Sequence, residues 1–139
     1  MKTFLKHLMC LALVTFTLSS CNLFKKDKDF NESDLIGKWS AKTTKTENPD
    51  GYYYVVFYAD KDETGDYKLG KEWDEGDDVT EDEAQKFKWR IEKDELQQLH
   101  WVEINETWGV PKYYTITVLN STTLSYNNGN RKYTFTKVK

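Results

Sequence analysis

The sequence has little of what usually announces a function. Its 139 residues include two cysteines, two histidines and two prolines. It has no G-x-S-x-G, no HExxH and no phosphate loop, so neither a hydrolase nor a nucleotide or zinc cofactor is suggested, and no cofactor is expected. Beyond residue 20 the only histidine is His100. Alternation places it on the face of Val102 and Ile104, which fits a buried, hydrogen-bonded ring better than a general base. The nearest acids, Glu103 and Glu106, lie on the same stretch, where spacing cannot establish the roughly 5 to 9 Å gap of a glycosidase carboxylate pair. Catalysis is therefore not expected. No basic face with interleaved aromatics occurs, which argues against nucleic acid. The only apolar run, Leu8 to Leu18, is too short to cross a bilayer as a helix.

That run sits between Lys2, Lys6 and His7 on one side and Ser19 and Ser20 on the other, the layout of a secretory signal. Leu18-Ser19-Ser20-Cys21 resembles the lipobox of bacterial lipoproteins. The resemblance implies cleavage before Cys21, acylation of that residue and attachment to a membrane through several acyl chains, a stable anchor where one chain gives only reversible binding. Cys10 leaves with the signal. No thiol pair then remains for a disulfide framework, a cysteine zinc site or a CxxC motif. Cleavage also takes two of the 20 Lys+Arg and none of the 23 Asp+Glu, so the net charge moves from -3 to about -5. The expected organisation is a signal peptide at 1–20, a polar lipidated tether at 21–34 and one domain at 35–139. Asn22 beside the anchor resembles lipoproteins sent to an outer membrane. "KKDKD" at 25–29 resembles only loosely the export tags of surface-exposed ones, so the periplasmic face and the cell surface both stay open.

What the domain does have is alternation. Candidate strands run over 37–45, 52–60, 64–73, 85–92, 96–104, 112–119, 123–126 and 131–138, most of them separated by turn-forming residues such as "ENPDG" at 47–51 and "NNGN" at 127–130. Eight short strands with short connections predict an all-β, antiparallel up-and-down barrel. The one longer connection, 74–85, predicts a short helix around residues 80–87, because Thr80 and Glu83 form a capping box. Eight acids and no base occur between Glu72 and Glu83. Their spacing does not fit a calcium loop, and no metal site is assigned.

Period two sets faces. Phe87, Trp89 and Ile91 predict an inward set, as do Tyr114, Ile116 and Val118, Leu124 and Tyr126, and Tyr133 and Phe135. On "YYYVVFYA" at 52–59 both faces are apolar. Tyr53, Val55 and Phe57 are expected inside, leaving Tyr52, Tyr54 and Tyr58 as an outer aromatic stripe that could meet a partner. In "LHWVEI" at 99–104 Trp101 adjoins Val102, which suggests a bulge. Trp73, Trp101 and Trp108 are not assigned to the core.

On this pattern "LIGKWSA" at 35–41 resembles the signature of lipocalin-like (calycin) domains. The resemblance extends over 35–139 to the small lipocalin-like domains on lipoproteins of Bacteroidetes, through the F-x-W at 87–89, "YTI" at 114–116, "TTLSY" at 122–126 and the terminal "YTFTKV". It implies that Gly37 and Trp39 close the barrel base and that Lys137, in place of the usual Arg, packs across the indole. It also implies a binding module for a small, largely apolar ligand. Phe57, Phe87, Trp89, Tyr114, Ile116, Tyr126, Tyr133 and Phe135 are the candidate lining. The same rings could fill the interior completely. The alternative is an accessory envelope protein with a packed barrel, which would meet a protein or polysaccharide through its loops or outer stripe.

Overall fold

The computed structural model describes residues 28–45 and 49–139. The signal segment, Cys21, the start of the tether and part of the "ENPDG" turn lie outside the described residues. The chain forms a closed antiparallel barrel of eight strands: β1 (Gly37–Lys42), β2 (Tyr52–Lys61), β3 (Lys68–Asp74), β4 (Gln85–Glu92), β5 (Glu95–Val102), β7 (Lys112–Leu119), β8 (Thr123–Asn127) and β9 (Lys132–Lys137). A ninth, two-residue strand, β6 (Thr107–Trp108), folds back onto the end of β5. Each barrel strand pairs with the next, and β1 closes on β9 through Trp39 opposite Lys137 and Ser40 opposite Thr136. This is an up-and-down meander, as the short turns predict.

Eight strands define two ends. At the base, the strands carry large apolar side chains inward. Trp39, Val55, Phe57, Phe87, Trp89, Leu96 and Leu124 are all fully buried. Phe57 meets Phe87 edge to face at 5.5 Å and Trp89 at 5.3 Å. Gly70 makes this possible, because a Cβ there would fall 2.3 Å from the Phe87 ring. An inward glycine leaves the space that two neighbouring aromatics fill. The indole of Trp89 donates to the carbonyl of Leu69 at 2.9 Å, so its polar edge stays satisfied in an apolar layer.

A one-turn helix, α1 (Glu32–Leu35), plugs the base; Asn31 caps it by accepting from the Ser33 N–H. Leu35 is fully buried, its carbonyl accepts from the Trp39 indole at 2.8 Å, and Phe30 N–H bonds the Lys93 carbonyl at 3.1 Å. The folded unit thus begins before Leu35, and residues 30–34 of the expected tether belong to it. Lys137 crosses this layer, with Nζ 4.4 Å from the centre of the Trp39 ring and donating to the carbonyls of Ile36 and Asp34. Burial pulls the Lys137 amine below its ordinary pKa, with Asp34 partly opposing. Gly37 has φ +127°, and a Cβ on it would come 2.8 Å from Lys137 Cε. Backbone sign and space both require glycine there.

Three expectations change. The helix around 80–87 does not form. The Glu83 carboxylate accepts from the Thr80 N–H and hydroxyl, but the Glu83 N–H bonds the Thr80 carbonyl and not its hydroxyl; residues 81–83 are a turn and Gln85 already begins β4, whose pairing with β3 takes the backbone groups that a helix would need. The inward set of β7 breaks at a bulge between Ile116 and Val118, so Val118 turns outward, 38% exposed, and Leu119 packs on the core instead. One extra residue exchanges the faces of everything after it. The bulge suggested for residues 99–104 is absent: β5 pairs in steady register with β4, and Ile104 stands outside the strand, 93% exposed.

Candidate functional site: a cavity at the open end of the barrel

Two residues further along the same strands, the inward positions change character. The packed base gives way to a cavity of about 600 Å³ bounded by side chains of the open end. Of the candidate lining residues, Tyr114, Tyr126, Tyr133 and Phe135 border it. Phe57, Phe87, Trp89 and Ile116 do not; they belong to the packed layer beneath. Tyr53 joins the tyrosine wall from β2. The rings fix one another: Tyr114 and Tyr126 meet at 5.0 Å, Tyr126 and Tyr133 at 5.4 Å, Tyr126 and Phe135 at 5.6 Å, and Tyr53 and Phe135 at 6.2 Å.

The opposite wall is polar, and sequence reasoning missed most of it. Gln98 and His100 are successive inward positions of β5, and Glu72 and Asp74 are successive inward positions of β3, opposite Val55 and Tyr53. His100 Nε2 lies 2.9 Å from Glu72 Oε1. An ionised carboxylate only accepts, so Nε2 carries the proton of that bond and, in the neutral ring, Nδ1 keeps the lone pair. Nδ1 is buried and has no hydrogen-bond partner among the described residues, and the same holds for Nε2 of Gln98, a residue only 2% exposed. Burial first, then the charge of Glu72 and a hydrogen bond to it, drive the Tyr53 phenol far above its usual pKa. Burial and the neighbouring Tyr133 and Glu72 charges push Tyr114 up to about 12, and fully buried Tyr126 is raised for the same reasons. The tyrosine wall therefore keeps its phenol protons at neutral pH.

The loops of the open end tie down much of their own charge. Asp74 accepts from the Thr43 hydroxyl at 2.5 Å, Lys45 pairs with Asp77, and Glu75 accepts from the Tyr52 N–H at 2.9 Å. Further on, the acidic loop folds down the outside of the barrel. Glu81 receives Tyr58 Oη at 2.6 Å and Lys38 at 3.4 Å, while Lys71 bonds the carbonyls of Glu81 and Asp82. The Tyr58 bond, ahead of the lysine charges, holds the Glu81 carboxyl below its ordinary pKa, and burial with the Glu81 bond raises the Tyr58 phenol. The outer stripe is thereby largely engaged within the molecule. Tyr54 stacks on Trp73 at 5.1 Å beneath Lys38, Tyr58 is held by Glu81, and Tyr52, 37% exposed, carries Lys42 over its ring at 4.4 Å. Trp101 and Trp108 pack edge to face at 5.2 Å, with Lys88 over Trp108.

Among the described residues no group of His, Cys, Asp or Glu is placed to hold a metal ion, and no helix is long and apolar enough to cross a membrane. The fold and the site define a class: a closed antiparallel barrel, packed at one end and hollow at the other. Comparison with protein-family models, with curated proteins and with solved structures yields no match.

Proposed function

We propose that the chain is a non-catalytic binding module that takes one small molecule into the open end of the barrel. The observation that carries this reading is the 600 Å³ cavity, of the size that accommodates a drug-sized ligand and bounded by a set of aromatic rings together with many polar and charged side chains. A β-barrel is compatible with such a role, and eight strands leave room for one small ligand. The sequence reading expects a largely apolar occupant; the tyrosine wall suits an apolar body, and Gln98, His100 and Glu72 suit polar groups on one side of it. We further propose a lipocalin-like lipoprotein, acylated at Cys21 and held on an outer membrane. Leu18-Ser19-Ser20-Cys21 behind a short apolar run, Asn22 next to the anchor, and the Gly37, Trp39 and Lys137 arrangement support that reading.

Tryptophan emission tests the cavity. Titrating the chain with a panel made of a fluorescent fatty acid, a hydrophobic dye and a flavin should give at least one saturable, one-to-one change that Ala41→Trp, which fills the open end, abolishes without lowering the thermal midpoint. No saturable change with any of the three overturns the reading.

A second reading, contact with a protein partner, has one observation in its favour. Ile104 and Val110 stand 93% and 82% exposed on the arm that carries β6. Ile104→Ser with Val110→Ser should then abolish co-purification of a partner from the membrane; unchanged co-purification removes this reading.

A further inference from the structure

The cavity has a polar side, an aromatic wall and a rim, and each selects for a different part of an occupant. Gln98 and His100 border the polar side, and each has a buried nitrogen with no partner among the described residues: an amide nitrogen that donates and, in the neutral ring, an imidazole nitrogen that accepts. Leaving such groups unmatched is unfavourable, and leucine or phenylalanine would fill the same inward positions without that cost. They sit two residues apart on one strand, about 7 Å along the backbone, so flexible side chains can converge on one edge of a molecule. An edge that satisfies both presents an acceptor beside a donor, as a lactam or imide does.

The wall is aromatic, which favours a flat ring over a flexible chain. The rim is cationic. Lys112 is the register partner of Gln98 and so projects over the cavity on the same face, and Arg131 also borders the cavity, with its guanidinium 5.2 Å from the centre of the Tyr133 ring. Neither enters a salt bridge among the described residues, although acids outnumber bases in the chain. Two unneutralised cations beside a cavity in an acidic protein suit an anionic group.

Resting on the cavity reading above, we propose that the ligand is a flat heterocycle with a lactam or imide edge, bonded by Gln98 and His100, and with an anionic arm that reaches Lys112 and Arg131. Glu72 is a positioning residue: by accepting from Nε2 it holds the ring proton there and leaves the Nδ1 lone pair for the ligand.

Flavin mononucleotide and riboflavin are suitable probes, since they share an imide-bearing tricyclic ring and differ by one phosphate. Titrating the full chain should give saturable binding of the mononucleotide, about tenfold weaker binding of riboflavin, and weaker binding still of a fatty acid. Gln98→Leu and His100→Phe should each weaken both flavins at least tenfold. Lys112→Glu with Arg131→Glu should weaken the mononucleotide at least tenfold more than riboflavin. Thermal unfolding of each variant separates lost affinity from lost fold, and the ranking of the three probes on the unaltered chain needs no variant. Tight binding of the fatty acid with no flavin binding overturns this ligand class and leaves the cavity reading standing. Equal affinity for the two flavins overturns the anionic arm. Failure of all three probes overturns this ligand class, and failure of the hydrophobic dye as well overturns the cavity reading.

Discussion

The two ends of the barrel are built from the same strands with the same period, and they behave as different materials. At the base, inward positions are Trp39, Phe57, Phe87, Trp89 and Leu96, all fully buried and in mutual contact. One pleat further on, β3 offers Glu72 where it offered Gly70, β5 offers Gln98 and His100 where it offered Leu96, and the barrel opens into a cavity. Period two decides which side chains point inward; their volume and polarity decide whether the inside is filled. The base carries the stability, and the open end holds polar groups that stability alone would not select.

The largest effect that would break this contrast is truncation at the base. Trp39→Ala removes the ring on which Leu35 and Lys137 converge and should lower unfolding free energy by about 3–5 kcal/mol in urea titrations. A smaller loss would mean that the base is not the stabilising end. Gly37→Ala tests the same layer through the backbone. Positive φ and the approach of Lys137 should together cost about 2 kcal/mol. Lys137→Met should recover part of that cost by giving the new methyl a neighbour that can yield.

The tyrosine wall can be separated from the base by alkali. A phenol whose folded pKa is raised stabilises the fold fully below its unfolded pKa of about 10, and that contribution is lost as pH rises above it toward the folded value. Stability should therefore hold up to about pH 10 and then fall. Tyr126→Phe should remove its share of the slope, up to about 1.4 kcal/mol per pH unit, in denaturation curves measured from pH 9 to 12. An unchanged slope would show that Tyr126 ionises in the folded barrel. The smallest effect carries the opposite sign. Gln98→Leu exchanges a buried, unmatched amide for an apolar side chain and should raise stability by about 1 kcal/mol while weakening flavin binding. A loss of stability would mean that the amide is matched inside the protein.

Much of the barrel was legible because alternation is local. Every predicted strand is present, with ends shifted by a few residues, and Lys137 Nζ stands over the Trp39 ring. The short β6 was not foreseen, since two residues carry no period, and the β7 bulge was hidden because Val118 and Leu119 are both apolar. Buried charges were also missed. Lys88 and Asp62 form a pair on the outside of the barrel with both residues under 10% exposed. Burial alone would raise the Asp62 pKa, but bonds from Thr64, Lys88 and Tyr67 hold it below the ordinary value. Glu72 was read only as part of an acidic run, and its partner His100 lies 28 residues away. A charge looks solvated in sequence until the strand that neutralises it is known.

The sequence by itself determined an all-β chain of eight barrel strands, the inward set at the base and the turns between the strands, because each follows from side-chain period and from residues that favour turns within a few positions. Only the tertiary structure decided that the barrel is packed at one end and hollow at the other, that the acidic loop lies down the outer face on Lys38, Lys71 and Tyr58, and that Gln98 and His100 stand together beside a tyrosine wall. Filling is a sum over eight strands that meet only on closure, and no single segment contains that sum.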